Sequence, residues 1–467
     1  MIPKQYLRWA QKATGVAVAV SYVLAVYSVM TMQIIPLKYL LVAVPVISLP
    51  VGWLVYIHLK KYLSFRIAIG MIIFSLALTV VNLYVFSASS ATTNFLRTLQ
   101  AGDESFETYS IIAKKDRHID LAARQTYAAG LIKSDNNTDA VVAELHKQTT
   151  AQPHDYDELM SLTVALDSST ADIGVVKSSY VDLLQDGHTA FYQSIEVLAT
   201  FTVKAEKSTT TGAVDISKPF VVYISGIDTY GSIASVSRSD VNMLLVINPK
   251  THKILLVNTP RDYYVQLHGT TGVRDKLTHA GIYGIDSSIG TLEDLYATDI
   301  GYYLRVNFSS LVSIVDVVGG INVYSDHAFK SYREGYNTLN GQQALEFSRE
   351  RYSFAEGDRT RGKNQQRVIE AIISKMNDPK SLVHYRAILG SLQGALQTNM
   401  PTEALSILIN NQLDTLSKWQ VESISVDGTG KTAPTYSMGD IPLYVMEPDI
   451  ASLASARQKI QQYLTAR

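Results

Sequence analysis

Residues 13–37, 39–57 and 67–96 carry no charged side chain. A helix rises about 1.5 Å per residue and the hydrocarbon core of a bilayer is about 30 Å thick, so each run is long enough to cross it. The sequence therefore predicts three membrane-spanning helices. A secretory signal peptide would have one apolar core of about 7–15 residues and a small-residue cleavage site. The length of the runs and their lack of charge also argue against buried helices of a soluble core.

Basic flanks set the expected orientation. Lys4, Arg8 and Lys12 precede the first run, Lys60, Lys61 and Arg66 lie between the second and third, and only Lys38 sits in the first connection. The positive-inside rule places the N-terminus in the cytoplasm and, after three crossings, everything beyond about residue 90 outside. The chain has no cysteine, which is compatible with an extracytoplasmic bacterial protein that needs no disulfide frame.

The outer part is long enough for two domains, and the expected division is 1–94, 95–212 and 213–467. The middle stretch is polar and helix-like at Asp120 to Ile132 and Ala140 to Gln148, so a mostly helical accessory domain is expected there. The run Ser208 to Gly212 has the composition of a linker. Beyond it, β-branched runs alternate with helical stretches. Val221–Ile227, Val241–Ile247, Lys253–Asn258, Tyr302–Phe308 and Ile321–Tyr324 read as strands, Trp419–Val426 as a late strand, and Pro448–Leu464 as a closing helix. The class is α/β with a mostly covered sheet. Ile369, Ile372, Ile373 and Met376 form an apolar helical stripe that fits either packing on the sheet or lining a lipid groove.

One segment is locally basic although the chain is not. Lys and Arg together number 41 against 42 Asp and Glu, which excludes a general polycation effect. Yet Arg349, Arg351, Arg359, Arg361, Lys363 and Arg367 crowd one stretch beside an expected helix start. Two readings fit: a solvated charged loop, or recognition of a phosphorylated ligand, since guanidinium groups offer paired donors that match phosphate oxygens. Other candidates fall at strand ends, where α/β proteins hold ligands. Asp228 follows a strand containing Gly226, Arg238 and Asp240 precede the next, and Arg261 and Asp262 follow a third. The carboxylates fit structural ion pairs, or a site in which a divalent cation separates them from a pyrophosphate. Oxygen-only ligands beside phosphate favour Mg²⁺, with Mn²⁺ as the alternative, over zinc.

ISGID (Ile224 to Asp228), SRSDVNMLLVI (Ser237 to Ile247), TPRD (Thr259 to Asp262), DKLTHAGIYG (Asp275 to Gly284), IVDVVGGINV (Ile314 to Val323) and LNGQQALEFSRER followed by DRTRGKNQQ resemble the ordered motifs of the LytR-CpsA-Psr catalytic domain. The resemblance covers about Phe220 to Lys375. With three spans and an outer accessory domain, the chain resembles the capsular-polysaccharide branch of that family in Gram-positive bacteria. The resemblance implies an α/β/α sandwich with a central mixed sheet on the outer face of the membrane. It implies transfer of a glycan polymer from a polyprenyl pyrophosphate carrier to peptidoglycan, with a phosphodiester formed. By position, Asp228 and Asp240 would hold the metal, while Arg238, Arg261, Arg349, Arg351, Arg361 and Gln365 would hold the pyrophosphate. Arg359 is an additional cation. Asp358 matches the family's acid and is, with Asp262, a candidate base. Many relatives have arginine directly before the Gln-Gln pair where this chain has Asn364, and Lys363 is the nearest substitute.

In phosphoryl transfer, positioning and charge stabilisation do most of the work, and arginines with a metal supply both. The same arginines would serve a lipid pyrophosphatase or a lipid-phosphate binding protein, which would not need a glycan acceptor. A transcription regulator is the further rival, but a DNA-binding domain should be basic and cytoplasmic, and the cytoplasmic parts here are short, so no nucleic-acid partner is expected. His279 has no second histidine at metal spacing. Asn340 with Gln343 reads as a capped helix start, and Gly319 with Gly320 as a turn.

Overall fold

Each charge-free run becomes one helix: α1 Lys4–Met32, α2 Leu37–Lys60 and α3 Phe65–Ala101. The computed structural model describes residues 4–61, 63–101, 106–123, 125–133, 137–204, 214–227, 233, 236–376, 396–415 and 417–466. The proposed linker at Ser208 to Gly212 and the candidate ligand Asp228 lie outside them. All three helices are long and apolar enough to cross a membrane. They present apolar side chains outward, Leu49 and Trp53 being 76% and 65% exposed. Such a surface costs free energy in water and suits lipid. Polar groups tie the helices together: Tyr22 Oη lies 2.7 Å from Ser48 Oγ, and Asn82 donates to Ser21 Oγ at 3.2 Å. Arg8 donates to the carbonyls of Leu59 and Lys61 at 2.8 and 2.5 Å, satisfying acceptors at the end of α2. Met400–Lys418 belongs to the same compact unit, and Asp414 of the helix Thr402–Thr415 pairs with Lys38 at the start of α2.

The second compact unit comprises Ala101–Val383, Gly394–Asn399 and Trp419–Arg467. Its first module corrects an expectation, being α/β and not mostly helical. Strands β1 Phe106–Lys114, β2 Tyr127–Ile132, β3 Ala151–Tyr156, β4 Ile173–Lys177 and β5 Ile195–Lys204 form a five-stranded sheet in the order β3-β2-β4-β1-β5. Helices α4 Thr138–Gln148, α5 Leu159–Asp167, α6 Ser178–Gly187 and α7 Thr189–Ser194 accompany it. The stretch ending at Ile132 looks helical because its small apolar residues lack β-branches. It is a strand because β2 is a buried strand of the sheet, paired in parallel with β3 and β4. A Cβ on Gly130 would stand 2.2 Å from Leu162 Cδ1, so α5 packs closely over β2.

The second module is built on β6 Phe220–Ile227, β7 Ser239–Asn248 and β8 Lys253–Thr259, followed by the short pair β9 Tyr264–Val265 and β10 Asp275–Lys276. Next come a 3₁₀ turn Leu277–Tyr283, α8 Ile285–Tyr296, β11 Tyr302–Val306 and α9 Phe308–Val317. The chain continues through β12 Ile321–Ser325, β13 Gly335–Leu339, α10 Gly341–Arg349, α11 Asp358–Met376, β14 Leu396–Thr398, β15 Gln420–Ser425, β16 Gly428–Thr435, β17 Gly439–Pro448 and the helix Ile450–Thr465. The six-stranded sheet runs β14-β11-β6-β7-β8-β15. It is mixed: β6 pairs in parallel with β11 and β8 with β15, while β7 is antiparallel to both its neighbours.

Period two divides the sheet's faces. Val221, Tyr223, Leu244, Val246, Leu255 and Val257 enter a core shared with α8 and with Leu453, Ala456 and Ile460 of the C-terminal helix. Ile224 and Gly226 lie on the other face, which Leu345 of α10 and Val368 of α11 share in one cavity. The result is the expected α/β/α sandwich. Ile321 to Tyr324 forms a strand but pairs with β13 in a separate hairpin, because Gly319 and Gly320, at φ +79° and +80°, turn the chain there. The strand expected to reach Phe308 ends at Val306, where Asn307 caps α9 through its side chain.

Candidate active site

The ends of β6, β7 and β11 facing α9 to α11 open into a cavity of about 320 Å³. Its inner wall is apolar, with Ile224, Val241, Val306, Leu311, Leu345 and Val368 among the lining residues. Arg238, Asp240, Arg261, Arg349, Arg351, Arg361 and Gln365 also line it. Every pyrophosphate-binding candidate except Arg359 is therefore brought to one site. A second cavity, of about 160 Å³, shares Asp240, Arg261, Arg361 and Gln365 with the first and is otherwise mainly polar, with Asn258, Glu356, Arg359, Lys363 and Asp427 in its lining.

Local backbone geometry explains the convergence. Arg349 ends α10, and Glu350 then adopts an extended conformation at φ −67° and ψ 128°. Alternate side chains of an extended segment point to opposite sides. Arg349 and Arg351 consequently share the cavity, while Glu350 turns away to Lys330 at 2.5 Å and accepts from the Ser353 N–H at 2.9 Å. Arg361 lies in the first turn of α11 and Gln365 one turn later. Gly362 lets that helix approach β8, since a Cβ there would stand 2.3 Å from Asn258 Nδ2. At Gly226 a Cβ would meet Val241 Cβ at 2.6 Å, so this glycine serves close pairing of β6 with β7.

Asp240 is the central carboxylate. It accepts from Arg261 Nη1 at 2.7 Å and from Thr278 Oγ1 at 3.1 Å. Burial works to raise its pKa, but the guanidinium groups of Arg261, Arg361 and Arg238 outweigh burial and hold it below the ordinary aspartate value. Arg349 stacks on the Phe308 ring at 4.1 Å from the centroid, and Arg351 donates to Tyr352 Oη at 2.6 Å. That hydrogen bond, with the charge of Arg351 and then of Arg261 and Arg361, lowers the Tyr352 pKa. Arg238 pairs with Asp186 of α6, another residue in the cavity lining.

Some candidates go elsewhere. Asp262 lines neither of these cavities; it is buried, 3.0 Å from Lys276 Nζ and 3.8 Å from Arg261 Nε. The structure therefore places it in an ion pair beside the site. Arg359 borders only the second cavity and is held by Asp427 and the Gly428 carbonyl, each at 2.5 Å. Asn364 is buried, its amide 3.4 Å from the Phe347 carbonyl, so it joins α10 to α11. Lys363 does line the second cavity. Asp358 begins α11, and its side chain lies outside the described residues, as does Asp228.

His279 is a buried structural residue within 2.7 Å of Asp275 and 2.8 Å of Ser437. Asn340 and Gln343 form the expected capping box. Sequence reasoning missed Asp186, Phe308 and Tyr352. Tyr352 stood inside the arginine segment and was open to discovery, whereas Asp186 lies 52 positions from its partner and had no local signal.

Fold and site together define an α/β protein with an amphiphilic cavity, apolar along one wall and cationic around the central carboxylate of Asp240, with Asp186 at its border. The profile of the LytR_cpsA_psr family matches residues 189–455, and the chain belongs to that family. It is 33% identical over 235 residues, 49% of this chain and 76% of the relative, to the polyisoprenyl-teichoic acid–peptidoglycan teichoic acid transferase TagU of Bacillus cereus. The namesake from Bacillus mycoides is 32% identical over 228 residues, 48% of this chain and 73% of the relative. The crystal structure of B. subtilis TagV covers 53% of this chain and 98% of its own at 26% identity, with a TM-score of 0.46.

Proposed function

We propose that this protein is a membrane-anchored transferase that moves a glycan polymer from a polyprenyl pyrophosphate carrier to peptidoglycan, leaving a phosphodiester link. The observation that carries the reading is the cavity in which apolar Ile224, Val306, Leu345 and Val368 adjoin Arg238, Arg261, Arg349, Arg351 and Arg361. An isoprenoid tail suits the apolar wall, and a pyrophosphate suits the guanidinium cluster. The polar second cavity meets the first at Asp240, Arg261, Arg361 and Gln365, which suits polymer or acceptor sugars on the far side of the reacting phosphate. Relatives named for teichoic acid transfer support the reaction class. For the cargo we take capsular polysaccharide, on the strength of the three apolar helices and the accessory module.

Arginines fixed around the pyrophosphate stabilise charge as it moves to the departing lipid phosphate. Asp240, with Asp228, would hold Mg²⁺ or Mn²⁺ against the phosphate oxygens. The Asp240 donor set fits a hard cation, being an ionised carboxylate beside the Thr278 hydroxyl. When bound, the cation would neutralise phosphate charge. Asp358, at the start of α11, is our proposed base for the acceptor hydroxyl. The catalytic module is proposed to face outside. The pairing of Lys38 with Asp414 supports this, because it brings the first connection together with a helix from the C-terminal part of the chain, as an odd number of crossings requires.

The test uses the full chain in lipid nanodiscs with carrier-linked polymer, peptidoglycan and Mg²⁺. Polymer covalently bound to peptidoglycan is expected, and Asp240→Ala should abolish it without lowering Tm. Release of polymer phosphate and lipid phosphate with no acceptor product would establish a pyrophosphatase instead. Teichoic acid accepted while capsular polymer is refused would correct the cargo. Protease added to intact protoplasts should digest residues 100–467, and their protection would overturn the orientation.

A further inference from the structure

We infer that Asp186, carried by the accessory module, is a positioning residue of the pyrophosphate site that acts through Arg238. This rests on the transfer reading above. Asp186 lines the main cavity, and its carboxylate accepts from Arg238 Nη1. Its position precedes the family match, which begins at residue 189.

The carboxylate is held there by packing. Helix α6 places Tyr180, Leu183 and Leu184 in a buried cluster that also contains Ile282, Met438 and Leu443 of the catalytic module. Directly after Asp186, a Cβ on Gly187 would stand 2.8 Å from Met438 Cε and 2.9 Å from Leu443 Cδ2, so the end of α6 is seated against β17 and the residue before it. The 3₁₀ turn that supplies Ile282 also abuts the backbone of Arg238. A Cβ on Gly281 would lie 2.5 Å from the Ser237 carbonyl oxygen and 2.8 Å from the Ser239 nitrogen. Thr278 of the same turn bonds Asp240. One turn thus links α6, the Arg238 backbone and the central carboxylate.

A half-exposed ion pair contributes little to stability. Its value here is orientation. A guanidinium has five N–H donors, so Arg238 can keep one on Asp186 and still offer a pair to phosphate. Without Asp186 the long side chain is free to swing toward solvent, and small misplacements of a charge-stabilising group reduce turnover steeply.

Four variants of the full chain in nanodiscs test this: Asp186→Ala, Asp186→Asn, Arg238→Ala and the Asp186→Ala/Arg238→Ala double variant. Asp186→Ala should lower kcat about tenfold with KM within about twofold, and Asn, which keeps an acceptor oxygen, should recover most of the loss. In the Arg238→Ala background, Asp186→Ala should have no further effect. Tm should be unchanged throughout. Affinity for inorganic pyrophosphate, measured by calorimetry, is a second readout: Arg238→Ala should weaken it, and Asp186→Ala should not tighten it. A silent Asp186→Ala, an equal loss in both backgrounds, or tighter pyrophosphate binding on removal of Asp186 would each overturn the role, the last by making Asp186 a competing anion. If wild type transfers nothing, the transfer reading fails by itself. Pyrophosphate affinity then carries the test: a weakening of up to about twofold in Asp186→Ala that disappears in the Arg238→Ala background is expected, and an equal loss in both backgrounds or tighter binding would sink the inference.

Discussion

Two sets of arginines lie within the same module and differ in what answers their charge. Arg238, Arg261, Arg349, Arg351 and Arg361 converge on one cavity. Arg274, Arg359 and Arg367 are matched to carboxylates: Arg274 makes a two-pronged bond to Glu447 at 2.7 and 2.9 Å, Arg359 pairs with Asp427, and Arg367 with Asp326. The second set stitches segments together, joining the loop before β10 to β17, α11 to the loop before β16, and α11 to the turn after β12. Crowding of like charge is unfavourable unless a partner or ligand offsets it. Among the described residues the first set brings five guanidinium groups to a cavity with two lining carboxylates, Asp186 and Asp240, a balance that suits an anionic ligand, whereas one-to-one pairing serves the fold.

The largest expected effect follows. Alanine at Arg261 or Arg361, the two that border both cavities, should reduce transfer about a hundredfold, roughly 3 kcal/mol of charge stabilisation, while lysine should recover only part because it lacks the paired donors. Turnover within about twofold of wild type in both alanine variants, by the peptidoglycan-linkage assay, would erase the distinction between the sets.

The same contrast explains what could be read from sequence. The arginine cluster, strand ends and capping residues are local patterns, so the central sheet, the α10 start and most of the cavity were legible. The hairpin strand β13 and the β16–β17 hairpin were not, because Gly428 to Thr435 carries Gly, Lys and Pro in place of an apolar alternation. Nor could spacing reveal that Asp262 turns to Lys276 while Asp240 turns to the cavity, since both follow an arginine or precede a strand in similar surroundings. The accessory sheet was misread because Ala128 and Ala129 suit a helix as well as a buried strand. Asp186 depends on a contact between modules, which no local pattern encodes.

A smaller effect concerns how Glu350 is kept from neutralising its arginine neighbours. Its hydrogen bond to Lys330, helped by the Ser353 N–H and opposed by burial, lowers its pKa from 4.5 to about 2. A carboxyl depressed in the folded state contributes stability above its unfolded value, and that stability is lost as pH falls through the folded value. The window here is from about pH 4.5 down to about pH 2. Lys330→Ala should lower Tm at pH 7, and the variant should lose less Tm than wild type on acidification through that window. Parallel acid melting curves for the two proteins would show that Glu350 is held by something else.

The smallest effects belong to the paired set, and they decide whether the boundary between the sets is sharp. Arg274→Ala removes a two-pronged bond between half-exposed groups and should cost about 1 kcal/mol of stability, with transfer per folded molecule unchanged. Arg359→Ala is the sharper case, because Arg359 borders the second cavity while its donors bond Asp427 and the Gly428 carbonyl. If that pairing defines its role, turnover should stay within about threefold of wild type, well short of the loss expected at Arg361 on the same helix. Comparing Arg359→Ala with Asp427→Asn sharpens the test. A structural pair gives two similar, small changes in Tm and none in kcat. An arginine released to the ligand would instead give reduced kcat in Arg359→Ala and normal or raised kcat in Asp427→Asn, and that pattern would move Arg359 into the ligand-binding set.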